Sequence, residues 1–164
     1  MCDEYDTLEI DRLFGSNFLR QYSCMNDSLQ AKDQNATKKI LIVEDDEFIS
    51  DIYTKKLSDE GFLVFLAQDG GSAVKMLREC QPDILLLDLM IPVKTGFEVL
   101  EEIRNDSEFR DLKVIIMSNL NLDEDIARAQ ELGVSGYMVK AVTSLDDLVL
   151  KVREQLFPEM SDVQ

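Results

Sequence analysis

The chain contains no histidine. That excludes histidine-based catalytic triads and histidine-ligated metals, and it means no phosphohistidine can form here. Cysteine is scarce and odd in number: Cys2, Cys24 and Cys80 are widely spaced, with no Cys-x-x-Cys pair. Neither a disulfide framework nor a zinc site is supported. Basic residues are outnumbered, 17 Lys and Arg against 33 Asp and Glu, for a formal net charge of −16. Nucleic acid is not an expected partner, because phosphate contacts need clustered Lys and Arg. No apolar run approaches the roughly 18 residues of a membrane span, so no membrane association is expected. The start Met-Cys-Asp-Glu lacks the basic and apolar stretches of a signal peptide. A cytoplasmic protein is the expectation. No internal repeat or low-complexity tract is visible.

What is present is enough for a core: 45% of the 164 residues are hydrophobic, which fits one domain plus an extra segment. Residues 1–38 read as an acidic extension. Tyr5, Leu8, Leu13, Phe14, Phe18 and Leu19 form a loose helical stripe that Gly15 interrupts, and residues 26–39 are polar and linker-like. A disordered tail is favoured over a short docking helix, and Met25 is compatible with an internal start. Residues 39–157 read as the domain and 158–164 as a tail.

From Lys38 onward, apolar runs alternate with helical periodicity. Strands are expected at Ile40–Val43, Phe62–Ala67, Asp83–Leu87, Val114–Met117 and Gly136–Val139. Helices follow each one. The first carries Ile49, Ile52, Tyr53 and Leu57 and stops at Gly61. The second opens at Gly70-Gly71 and ends before Pro82. The third runs from about Thr95 to Arg104, with Phe97, Leu100 and Ile103 inward. The fourth holds Ile126, Ala129 and Leu132 before Gly133. The last spans about Ser144 to Phe157 and is closed by Pro158. Five strand–helix units in succession imply a parallel sheet with right-handed crossovers and helices on both faces, a doubly wound α/β sandwich.

Polar residues follow the strands. The first ends in Glu44-Asp45, the third in Asp88, the fourth in Ser118 and the fifth in Lys140. Asp88 ends an unbroken apolar run, Ile84–Leu87, of the kind found in central strands buried on both faces. Open α/β sheets bind ligands at their carboxyl edge, and strand order 2-1-3-4-5 sets the first and third strands side by side there. Glu44, Asp45 and Asp88 then share one crevice. Three carboxylates repel one another, and with no His or Cys near, a hard cation such as Mg²⁺ suits them. Lys140 supplies a second positive charge and Ser118 a hydroxyl. A carboxylate so flanked can act as the nucleophile toward a phosphoryl group. Asp46 reads only as a helix cap.

Four motifs at their mutual spacings carry a family resemblance. They are Ile-Leu-Ile-Val-Glu-Asp-Asp, Leu-Leu-Leu-Asp-Leu-Met-Ile-Pro-Val-Lys-Thr-Gly-Phe-Glu-Val-Leu, Ser118 at a strand end, and Gly-Tyr-Met-Val-Lys. Asp45 lies 43 positions before Asp88, Ser118 lies 30 after it and Lys140 lies 52 after it. Residues 39–157 resemble a response-regulator receiver domain of two-component signal transduction. The resemblance implies a flavodoxin-like (βα)5 fold. It makes Asp88 the acceptor of a phosphoryl group from a sensor histidine kinase or histidine phosphotransfer protein. It gives Asp45, Asp88 and the Met90 backbone carbonyl as direct Mg²⁺ ligands, with Glu44 acting mainly through water. Lys140 would pair with the phosphoryl oxygens. Ser118 and Tyr137 would be the switch pair that reports phosphorylation to a face formed by the fourth helix, fifth strand and last helix. A stand-alone receiver with an unidentified protein target is expected, not a conventional enzyme, and pairing into a homodimer is compatible with the family.

Two residues depart from the family pattern. The lysine is normally followed by a proline in a cis bond, and here Ala141 follows it. A cis bond before a non-proline costs roughly 2.5–4 kcal/mol more than trans, so the loop is either strained or trans and repacked. Asn119 is larger than the usual residue and narrows access to Asp88. Met90 and Leu120 are apolar where some relatives position a hydrolytic water, which predicts slow loss of the phosphoryl group. The alternative from another class is a pseudo-receiver, a constitutive interaction module that never carries phosphate. A haloacid-dehalogenase-type phosphatase needs a second Asp at the position of Met90. A nicotinamide-binding Rossmann domain needs a Gly-x-Gly-x-x-Gly after the first strand.

Overall fold

A computed structural model of the chain describes residues 37–120 and 122–158. The extension read at residues 1–38 and the tail at 158–164 fall almost wholly outside the described residues. Ten elements alternate. They are β1 (Lys39–Val43), α1 (Glu47–Asp59), β2 (Leu63–Ala67), α2 (Gly70–Cys80), β3 (Ile84–Leu87), α3 (Gly96–Asn105), β4 (Lys113–Ser118), α4 (Asp123–Glu131), β5 (Gly136–Val139) and α5 (Leu145–Leu156). All pairings are parallel and the order is β2-β1-β3-β4-β5. This is the expected flavodoxin-like sandwich. Among the described residues, no helix is long and apolar enough to cross a membrane.

Strand residues alternate between two cores because successive side chains point to opposite faces. Leu41, Val43, Leu85, Leu87, Val114 and Ile116 pack with Ala73, Leu77, Phe97, Leu100, Ile103 and Ala129 of α2, α3 and α4. Ile40, Ile42, Ile84, Leu86, Ile115 and Met117 pack with Leu57, Leu148, Val149 and Val152 of α1 and α5. β3 is buried along its whole length, which is why it reads as an uninterrupted apolar run. Each such buried aliphatic side chain contributes roughly 1.5–3 kcal/mol, so the central strands form a rigid base for whatever follows them.

Helix entry is set by short polar side chains. Asp46 caps α1, Asp69 caps α2, and Thr95 and Ser144 form capping boxes with Glu98 and Asp147. α4 differs: its N-cap is Leu122 and no side chain bonds there. At the other end of α4, the Arg104 guanidinium donates to the Leu132 and Gly133 carbonyls at 2.8 and 3.0 Å. The helix start is therefore held less firmly than its end.

Two close approaches aim the β3–α3 loop. A Cβ on Gly96 would stand 2.3 Å from the Asp88 carbonyl oxygen, so only glycine lets α3 begin against the end of β3. A Cβ on Gly70 would stand 2.4 Å from the Lys94 carbonyl oxygen, which brings the same loop onto the start of α2. Val93, in that loop, has φ +70° and is 81% exposed. A β-branched residue is an outlier in the left-handed region. Val93→Asn is expected to raise folding stability by about 1 kcal/mol, measured by urea unfolding. A loss instead would show that the contact of Val93 with Gly71, whose Cβ would lie 3.3 Å from Val93 Cγ1, outweighs the backbone cost.

Candidate functional site

The register of β1 and β3 sets the site. Val43 pairs with Leu87, so the next residues, Glu44 and Asp88, emerge level at the carboxyl edge. The Asp88 N–H donates to the Val43 carbonyl at 3.0 Å and the Glu44 N–H to the Ala67 carbonyl at 3.0 Å. Glu44 and Asp88 are buried, 2% and 6% exposed, while Asp45 faces solvent. One carboxylate oxygen from each of the three lies within 4.8 Å of the others. The crevice inferred from sequence is therefore formed.

Lys140 closes it from β5. Its side chain is 6% exposed, and its ammonium bonds Asp88 Oδ2 at 2.6 Å and also bonds Glu44 Oε2. Among the described residues every peptide bond is trans. Of the two conformations left open for the Lys140–Ala141 bond, the repacked trans loop is the one formed, and the lysine still reaches its partners.

The charges do not balance. One ammonium, bonded to two carboxylates, stands against three. Burial opposes the charge on Lys140, but hydrogen bonds to Asp88 and Glu44 outweigh it and hold the ammonium above the usual lysine range. Burial pushes the Glu44 carboxyl above the usual glutamate range despite the Lys140 contact, and the neighbouring Asp88 charge adds to the rise. The Lys140 direction reflects its two carboxylate partners, and the Glu44 direction reflects burial first and the Asp88 charge only after it. An oxygen-only donor set that is partly buried and undercompensated fits a hard divalent cation.

The remaining expected residues lie nearby without joining the cluster. Ser118 is fully buried at the end of β4, and its hydroxyl accepts from the Leu120 N–H at 3.2 Å. Tyr137 is half-buried in β5 and its hydroxyl donates to the Leu120 carbonyl at 2.9 Å. Burial, then the Asp125 charge, pushes the Tyr137 phenol up, so it remains a neutral donor. Met90 is 62% exposed, and its N–H donates to Asp88 Oδ1 at 3.1 Å. Asn119 lines an open cleft of about 280 Å³ with Ile49, Ile52, Tyr53, Lys140 and Ala141. Asp46 is a cap, as read: its side chain accepts from the Phe48 and Ile49 N–H groups at 2.9 and 3.0 Å.

Sequence reasoning missed the contacts of three residues. Leu120 joins Ser118 and Tyr137 through its backbone, which no side-chain motif reveals. Tyr53, read only as part of an apolar face, stands beside Lys140. Thr143 pins the turn after Lys140. Its only sequence signal is a hydroxyl residue three places after a lysine that lacks its proline.

A family model described as the response regulator receiver domain matches residues 40–153. The chain belongs to the response-regulator receiver family. Solved structures agree. Chemotaxis protein CheY4 of Vibrio cholerae is 26% identical, with a TM-score of 0.69, over 74% of this chain and 100% of that one. The BeF3-activated N-terminal receiver domain of Klebsiella pneumoniae RstA is 26% identical, with a TM-score of 0.68, over 73% and 99%. The phosphorylated cyanobacterial phytochrome response regulator RcpA is 29% identical, with a TM-score of 0.66, over 76% and 96%.

The burial of Glu44 in this receiver domain has a pH signature. The folded-state pKa of Glu44 is raised, so the folded protein holds that proton more tightly than the unfolded chain. Its contribution to stability is present at acid pH and is lost as pH rises from the ordinary glutamate range through the raised value. Glu44→Gln removes the cost. It is expected to raise the melting temperature near neutral pH, with the gain shrinking to nothing as pH falls below the ordinary glutamate range. A gain that persists at acid pH would contradict this.

Proposed function

We propose that the chain is a phosphorylation switch that accepts a phosphoryl group on Asp88 from a phosphohistidine of a sensor histidine kinase or histidine phosphotransfer protein. The observation that carries this reading is the Lys140 ammonium 2.6 Å from Asp88 Oδ2 in a crevice with two further carboxylates. In the proposed step an Asp88 oxygen forms a bond to phosphorus, the bond from phosphorus to the donor imidazole nitrogen breaks, and an acyl phosphate results. The electron pair of the broken bond leaves with the imidazole, which the partner supplies, since this chain has no histidine. Lys140 neutralises negative charge that gathers on the transferred oxygens.

Asp45, Asp88 and the Met90 carbonyl would hold Mg²⁺, with Glu44 acting through water. When bound, the ion supplies positive charge to the phosphoryl oxygens. Ser118 and Tyr137 are the proposed switch pair. Their shared grip on Leu120 supports this, because a change at the Ser118 hydroxyl bears on the residue that holds the Tyr137 phenol. The output is a protein target reached through the face of α4, β5 and α5, in the cytoplasm, with no turnover of a separate substrate. The domain so assigned spans 39–157.

The surface supports docking of the phosphodonor protein. Among the described residues, six large hydrophobic side chains are exposed: Phe48, Met90, Val93, Leu122, Val142 and Leu150. All but Leu150 follow strands at the carboxyl edge, around the acidic crevice. An apolar rim about a charged site fits a partner that covers it.

The test is intact mass after incubation with acetyl phosphate and Mg²⁺. One added phosphoryl group is expected, absent without Mg²⁺ and absent in Asp88→Asn. The adduct is expected to decay more slowly than in receivers with polar residues at the positions of Met90 and Leu120. Met90 points to solvent and Leu120 packs against the core, and neither side chain can orient a water. No adduct would favour the pseudo-receiver, and fast decay would refute the role given to these two positions.

A further inference from the structure

The peptide unit that precedes Lys140 is held at both ends. Its N–H, on Lys140, donates to the Ser118 carbonyl at 3.0 Å. Its carbonyl, on Val139, accepts from the Val142 and Thr143 N–H groups, both at 3.1 Å, and from the Thr143 hydroxyl at 2.8 Å. A peptide unit is planar. Fixing both ends fixes the plane, and with it the Lys140 N–Cα bond from which the side chain departs.

The turn that follows has little else to hold it. Ala141 and Val142 are exposed, Val142 by 82%, so their side chains add almost no packing. No pyrrolidine ring restricts φ at position 141. On the far side, the Ser144–Asp147 capping box anchors the start of α5, with 2.6 Å between Ser144 Oγ and Asp147 Oδ2. Between Lys140 and that anchor, Thr143 supplies the one side chain bonded back to the strand. Thr143 is half-buried and lines a small void together with Lys140 and Tyr53, so it faces the same space as the lysine it follows.

We infer that Thr143 is a positioning residue: its hydroxyl holds the Val139–Lys140 peptide unit and so aims the Lys140 ammonium at Asp88. Hydroxyls that bond four residues back are common local devices. Here the accepting carbonyl belongs to the same planar unit as the Lys140 N–H, and the next side chain along the backbone is the buried cation of the site. The effect on phosphoryl chemistry rests on the reading of Asp88 as phosphoacceptor, while the aiming of Lys140 does not.

Thr143→Val keeps the shape and removes the hydroxyl, and Thr143→Ser keeps the hydroxyl. Two measurements are made on the full chain. In the first, Mg²⁺-free protein is treated with a trace of an amine-acylating reagent and the labelling rate of each lysine is read by peptide mass. In the second, the rate of Asp88 phosphorylation by acetyl phosphate with Mg²⁺ is followed by intact mass. In Thr143→Val, Lys140 is expected to label about three- to tenfold faster and Asp88 to be phosphorylated slower by a similar factor, the size of losing one hydrogen bond. Lys39, at the opposite edge of the sheet, keeps its wild-type labelling, and Thr143→Ser matches wild type in both measurements. Wild-type labelling of Lys140 in Thr143→Val would overturn the inference. So would a parallel rise at Lys39, or a Thr143→Ser variant that behaves like Thr143→Val. If wild type takes no phosphoryl group, the functional reading fails, and the labelling still decides whether Thr143 aims Lys140.

Discussion

One buried ammonium is shared between two buried carboxylates, and the arrangement around it follows from that contact. Lys140 joins the ends of three strands: its own β5, β1 through Glu44 and β3 through Asp88. Desolvating such charges costs several kcal/mol per ion, and the mutual attraction repays it only when the geometry is good. The apolar strands beneath provide that geometry by fixing register to the residue. Gly96 and Gly70 provide the rest, since each lets a backbone approach that a Cβ would block. The cluster still carries more negative charge than Lys140 can offset, while burial, and to a smaller degree the Asp88 charge, holds the Glu44 carboxyl above its usual range. A site left negative in this way suits a hard divalent cation.

Most of the fold was legible because central parallel strands are written as plain apolar runs. Ile84–Leu87 and Ile40–Val43 could be read directly, and their ends named Asp88 and Glu44. Strands extend one residue further than read at Lys39, Lys113 and Ser118, where a polar residue still completes a ladder, and start one residue later than read at Phe62 and Asp83. The strand order rested on the spacing of the motifs and the family they resemble. What stayed hidden was backbone business. The grip of Ser118 and Tyr137 on Leu120 uses main-chain atoms that carry no residue signature. The trans turn after Lys140 depends on hydrogen bonds converging on a single carbonyl, and a missing proline could only pose that question. Val93 gives no warning in sequence that it occupies left-handed backbone.

The crevice and the β4–α4 connection are linked through hydrogen bonds. The Lys140 N–H rests on the Ser118 carbonyl, Ser118 holds the Leu120 N–H, and Tyr137 holds the Leu120 carbonyl. α4 begins directly beyond, with no side chain capping its first turn and with Arg104 fastening its far end. Charge placed on Asp88 is therefore one hydrogen bond from Lys140, and Lys140 is one from the strand end that leads to this helix. A change in the crevice has a short covalent and hydrogen-bonded route to an element held firmly at one end only.

The most direct test of the account is the effect of Mg²⁺ on the melting temperature of wild type and Asp45→Asn, near pH ~7 and again in the carboxylate titration range near pH ~4–5. A crevice with surplus negative charge must be stabilised by the ion through mass action. The shift must shrink at the lower pH, because protons and metal compete for the same oxygens. The account predicts a clear upward shift near neutrality, a smaller one in acid and almost none in Asp45→Asn. No shift in wild type, or an equal shift in Asp45→Asn, would contradict it.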